Sequence, residues 1–85
     1  MGAVHLEPFD ELIGQLRAYG LSAAAESISS LMGSPWTSSS EMIGELGIAV
    51  LIIQSENASV PKELRQVLSR CMREVKKVWP HIKLP

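Results

Sequence analysis

Residues 46–53, LGIAVLII, are eight consecutive apolar or glycine positions set between Glu45 and the polar run Gln54, Ser55, Glu56. A membrane helix needs roughly 20 apolar residues, so this run is too short to span a bilayer. As a strand it would need a partner, and the sequence holds no second strand candidate to pair with it. Short apolar runs are ambiguous by periodicity alone, so the flanks decide. Upstream, Ser38 and Glu41 have the spacing of a capping box, in which a hydroxyl and a carboxylate each satisfy a backbone N–H at a helix start. From there Met42, Ile43, Leu46, Ala49, Val50 and Ile53 fall on one helical face, while Ile48, Leu51 and Ile52 fill the opposite side of the second half. Residues 39–55 therefore read as one helix, apolar all round toward its C-terminal end, and such a helix belongs inside a bundle. Gly44 and Gly47 each cost about 1 kcal/mol of helix propensity, which predicts a close approach of another backbone or a local bend.

The rest of the chain fits the same scheme. Pro8 suits a first helical turn, Asp10 and Glu11 complement the helix dipole, and Phe9, Leu12, Ile13, Leu16 and Tyr19 form an apolar stripe over 8–19, ended by Gly20. Ser22 is placed to cap a helix over 22–32 carrying Ala24, Ala25, Ile28, Leu31 and Met32, which Gly33 and Pro35 stop. Trp36 lies in the following loop and is expected to fold back over the bundle. Pro61 opens a helix over 61–79, the clearest pattern in the chain. Leu64, Val67, Leu68, Cys71, Met72, Val75, Val78 and Trp79 occupy one arc, and Lys62, Arg65, Arg70, Arg73, Lys76 and Lys77 the opposite one. Pro80 ends it, leaving a tail whose Ile82 and Leu84 have the character to tuck against the bundle. The fold expected is all-α: a small four-helix bundle with a central, largely buried third helix, in one domain spanning 1–85.

A chain of 85 residues has room for one small core. Apolar residues make up 46%, yet only Phe9, Tyr19, Trp36 and Trp79 are aromatic, so aliphatic side chains must build the interior. Net stability at or below roughly 5 kcal/mol is expected unless a partner adds to it. Cys71 is the single cysteine, which rules out an internal disulfide and points to a reducing compartment, the cytoplasm by default. The N-terminal MGAVHLEPFDE lacks the basic residues and apolar core of a secretory signal, and Leu6 stands where a myristoylation site wants Ser or Thr. No outward address and no membrane association are expected.

Catalysis finds little support. His5 and His81 sit near the two ends with no motif linking them to Cys71, which lies on an apolar arc as a small hydrophobe. Neither histidine has a second ligand at helical spacing, and the glycines do not form a phosphate loop, so no metal, cofactor or catalytic residue is expected. Charge is more informative. Residues 1–57 hold seven acids and one base, for a balance of −6, while residues 58–85 hold seven bases and two acids, for +5. These are either solvated faces that attract each other or separate surfaces for partners. Nucleic acid is the less favoured partner, because the acidic half would repel a phosphate backbone and no recognised motif accompanies the basic helix.

The succession of LGIAV at 46–50, PKEL at 61–64, a basic amphipathic helix and KLP at 83–85 resembles the small all-helical immunity proteins that bacteria pair with secreted antibacterial toxins. The resemblance covers about the second half of the chain. It implies a cytoplasmic helical bundle without enzymatic activity that binds its cognate toxin and blocks the toxin's active site or an essential surface. An acidic face of Glu7, Asp10, Glu11, Glu41 and Glu45 would cover a basic cleft by complementary charge. A competing version uses the basic arc, Arg65, Arg70, Arg73, Lys76 and Lys77, against an acidic partner. A third has the surplus apolar side of LGIAVLII pack in a symmetric homodimer as a structural or adaptor module.

Overall fold

The computed structural model describes residues 4–57 and 59–84, which form four helices: α1 (Glu7–Ala18), α2 (Ser22–Gly33), α3 (Ser39–Glu56) and α4 (Lys62–Lys76). Each helix packs on two others, α1 on α2 and α4, and α3 on the same two, so that α1 and α3 lie across the bundle from each other. The all-α four-helix bundle expected from the sequence is the fold observed. Its core is Phe9, Leu12 and Leu16 of α1, Ala25 and Ile28 of α2, Ile43, Leu46, Val50 and Ile53 of α3, and Leu64, Val67, Leu68, Cys71, Met72 and Val75 of α4. At about 1.5–3 kcal/mol for each large side chain removed from water, these residues supply the driving force that holds the helices together.

The α1–α2 corner is set by Gly20 and Leu21. Gly20 adopts φ +78, and two bonds close the end of α1: Gly20 N–H to the Arg17 carbonyl at 3.2 Å and Leu21 N–H to the Leu16 carbonyl at 2.8 Å. This is a Schellman turn, which needs a left-handed residue and brings the residue after it back against the helix. Leu21 accordingly packs on the core and also stands at the N-cap of α2. Ser22, expected as that cap, is instead the first helical residue, because the turn places an apolar side chain where a capping hydroxyl would go. At the other end of α2, Ser34 is extended (φ −78, ψ 151), as a residue before proline prefers.

Ser38 caps α3 through its hydroxyl, which accepts the Glu41 N–H at 3.2 Å. The reciprocal half of the capping box does not form, since Glu41 Oε1 instead accepts a hydrogen bond from Thr37 Oγ1 at 2.7 Å. The glycines of α3 meet side chains rather than a backbone. A methyl on Gly47 would stand 2.6 Å from Val75 Cγ1 and from Ile82 Cδ1, and one on Gly44 would stand 3.1 Å from Trp79 Nε1. This half of α3 is thus a notch that receives α4 and the segment after it. Beside it Ile48 and Leu51 are half-buried, and Ile52 is exposed.

The helix expected over 61–79 is shorter at both ends. Pro61 is the N-cap, and regular helix stops at Lys76, three residues before Trp79. Pro80 has no N–H to continue the ladder, and the chain tightens through Lys77 and Val78 before turning, with Ile82 N–H bonded to the Trp79 carbonyl at 3.2 Å. The turn folds Ile82 onto the core, whereas Leu84 stays exposed, as does Tyr19 at the end of the α1 stripe. No helix among the described residues is long and apolar enough to cross a membrane.

Candidate functional site

A groove of about 570 Å³ opens between the N-terminal half of α3 and the turn after α4, lined by Trp36, Glu41, Gly44, Glu45, Ile48, Trp79, Pro80, His81 and Ile82. Both tryptophans of the chain meet there although they are far apart in sequence. Trp36 reaches it because the loop after α2 doubles back: its indole Nε1–H donates at 2.6 Å to the Leu31 carbonyl in the last turn of α2, which also accepts the Ser34 N–H at 3.4 Å. Trp79 reaches it because α4 stops short and turns. Its Nε1–H donates to the Ser40 carbonyl at 2.8 Å, and its ring lies against Gly44, where any larger residue would crowd it. Trp36 is half-buried, as the sequence predicts, but Trp79 keeps 43% of its surface exposed despite its place on the apolar arc of α4.

The five acidic candidates fall into two groups. Glu41 and Glu45 stand on the first turns of α3 at the edge of this groove. Glu7, Asp10 and Glu11 stand on α1, which does not touch α3, and there Glu11 is ion-paired with Arg70 of α4. The carboxylate of Glu7 lies 3.9 Å from His5 Nδ1. Part of the charge asymmetry is therefore neutralised inside the molecule.

The basic candidates also divide. Arg65, Arg70 and Arg73 line a shallow groove with Lys62, Gln66 and Ser69 along the outer face of α4, while Lys76 joins Arg73 and Met72 on the flank that faces Leu51 and Gln54 of α3. Lys77 turns to the opposite side, where its Nζ donates to Glu74 Oε1 at 2.8 Å.

Glu74 was not among the residues expected to carry a role. It lies between Cys71 and Val75 at the edge of the apolar arc and is nearly enclosed, accepting from Lys77 and from the backbone N–H of His5 at 2.9 Å. The Lys77 hydrogen bond, and after it the one from His5, hold its carboxyl below the usual glutamate range. One side chain thus ties the segment before α1 to the end of α4. An acid beside an apolar arc with a lysine three residues on is a visible signal, but the His5 N–H arrives from outside its own helix.

Cys71 is fully buried, and burial pushes its thiol up to about 12, so at neutral pH it is a protonated, apolar core group. Among the described residues no cluster of three or more His, Cys, Asp or Glu could hold a metal ion. No family model, curated protein or solved structure matches the chain.

Proposed function

We propose that this chain is a non-catalytic protein-binding module that works through the Trp36–Trp79 groove and, in its most specific form, an immunity protein that binds and neutralises a cognate antibacterial toxin. The observation that carries this reading is Trp79, a large aromatic side chain left 43% exposed yet fixed by a hydrogen bond to Ser40 and by contact with Gly44. Tryptophan is enriched among the few residues that dominate protein interfaces, and one already held in place loses little freedom on binding. Glu41 and Glu45 add negative charge at the rim, which favours encounter with a basic surface such as a cleft that handles nucleic acid. Glu7 and Asp10 lie on α1, outside this groove, so the reading uses only the α3 part of the acidic set.

The test is affinity capture with the tagged full-length chain, nuclease-treated, washed at about 0.15 M and about 0.5 M salt. Retention of one stoichiometric protein at both salts, whose toxicity is lost on co-expression with this chain, is the expected result. Recovery of the chain alone, or of nucleic acid that is lost at the higher salt when nuclease is omitted, overturns it.

A homodimeric adaptor is the second reading. It is favoured by Ile52, 41% exposed on α3 in a small groove whose lining also holds Ala23, Ala24, Ser27, Ala49 and Glu56. A strict monomer by light scattering at high micromolar concentration removes it.

A further inference from the structure

We propose that the Trp36–Trp79 groove is a receptor for a lysine or arginine side chain carried on an otherwise apolar segment of the partner protein. The proposal names the ligand of the protein-binding reading and rests on it. What the lining offers decides the charge it accepts. Both indole N–H groups are spent inside the molecule, Trp36 on the Leu31 carbonyl and Trp79 on the Ser40 carbonyl. With those donors engaged, the two indoles add aromatic carbon to the lining and no free N–H. Gly44, Ile48, Pro80 and Ile82 add apolar wall.

Glu41 and Glu45 are acceptors only. Glu41 takes one hydrogen bond from Thr37, and Glu45 has no hydrogen-bond or ion-pair partner among the described residues. Among the described residues of the lining, His81 is the one side chain with a ring N–H to give, and there is no lysine or arginine. An anion entering the groove would meet two carboxylates and a single imidazole. A cation would meet two charged acceptors beside the aromatic type that attracts cations most strongly. Because the lining holds Ile48, Pro80 and Ile82 beside the two carboxylates, residues flanking the cation have apolar surface to bury, and this is why the ligand is a mixed basic and apolar segment rather than a polybasic one.

Three blocked tripeptides serve as probes: Ile-Arg-Ile, Ile-citrulline-Ile, in which a neutral urea replaces the guanidinium, and Ile-Glu-Ile. Each is titrated into the isotope-labelled full-length chain, following the two indole N–H resonances, one for each tryptophan. The arginine peptide is expected to move both indole signals and the Ile48 amide, and the citrulline peptide to bind at least about 5-fold more weakly, having lost the cation–π contact and the ion pair. Glu45→Gln, at an exposed position, is expected to weaken the arginine peptide about 2- to 5-fold and leave the citrulline peptide unchanged. Equal binding of all three peptides, shifts confined to α4, or no shift at about 5 mM peptide overturns the proposal. The two readings fail separately. A toxin retained equally by the wild-type chain and by Glu41→Gln/Glu45→Gln sinks the cation site and leaves toxin neutralisation standing. Selective arginine binding without any protein partner does the reverse.

Discussion

Along α4 a large apolar residue recurs every third or fourth position and the outward positions are charged, whereas α3 is apolar over most of its length and is seated against its neighbour by two residues that have no side chain. The two helices pack on each other. The orientation of α4 is dictated by where water-loving groups must go, since turning it would bury arginine and lysine. Polarity instructs α3 more weakly, because toward its C-terminal end it is apolar on every side. Its orientation is set by volume: the face with Gly44 and Gly47 lets Val75 and Ile82 come close enough to fill the interior and lets Trp79 lie against the helix. Pattern and shape are thus separate sources of specificity, and this bundle uses one on each side of the same contact.

The sharpest way to break that contrast is to fill the notch. Gly47→Ala should destabilise the chain by about 1–3 kcal/mol in urea denaturation, even though alanine improves helix propensity by about 1 kcal/mol. Ile82 can swing its terminal methyl aside, but Val75 is β-branched and buried and has little room to yield. A variant as stable as the wild type would mean that shape does not orient α3.

A smaller effect sharpens the α4 side, where one charged group breaks the rule by facing inward. In the folded chain the Glu74 carboxyl lies below its usual 4.5, so the charged form is favoured by folding. Its contribution is complete above that usual value and is lost as pH falls through the lower folded value. Glu74→Gln should cost about 1 kcal/mol near neutrality by weakening the bonds from Lys77 and His5, and should flatten the acid limb of the stability profile. Parallel profiles for the two proteins would show that the carboxylate is not what joins the N-terminal segment to α4.

The least effect is expected outside. Glu11→Gln removes the ion pair to Arg70, both side chains being about 45% exposed (44% and 45%), and should change stability by no more than about 0.5 kcal/mol, less still in high salt. A larger loss would show that charge on the outer face of α4 helps to hold α1 in place.

The same contrast separates what the sequence makes legible from what it does not. The four helices, the buried arc of α4 through Val75 and the cap at Ser38 follow from local periodicity and local hydrogen-bond chemistry, which a sequence displays directly. The buried face of α3 is legible too, since Ile43, Leu46, Val50 and Ile53 share one helical face and Ile52 lies on the other, but the fit of the glycine notch to Val75 and Ile82 is not, because those side chains come from outside the helix. The groove was half visible. Trp36 and Glu45 stand out as residues, but their meeting with Trp79 depends on where α4 ends and how the chain turns at Pro80. No periodicity encodes the distance between two turns. The acidic set shows the same limit: five carboxylates in one half of the sequence look like one surface, and the diagonal placement of α1 and α3 divides them.

Cys71 sits in the middle of α4 with none of its surface exposed and its thiol pushed up to about 12, while in an opened chain a cysteine ionises near about 8.5. In the closed bundle a thiol reagent at neutral pH finds nothing to attack, so every labelling event records one opening of the core. The molecule carries its own clock. Any ligand that binds only the closed form will slow that clock in proportion to its occupancy, which makes engagement measurable without a tag, an introduced dye or knowledge of what the ligand does.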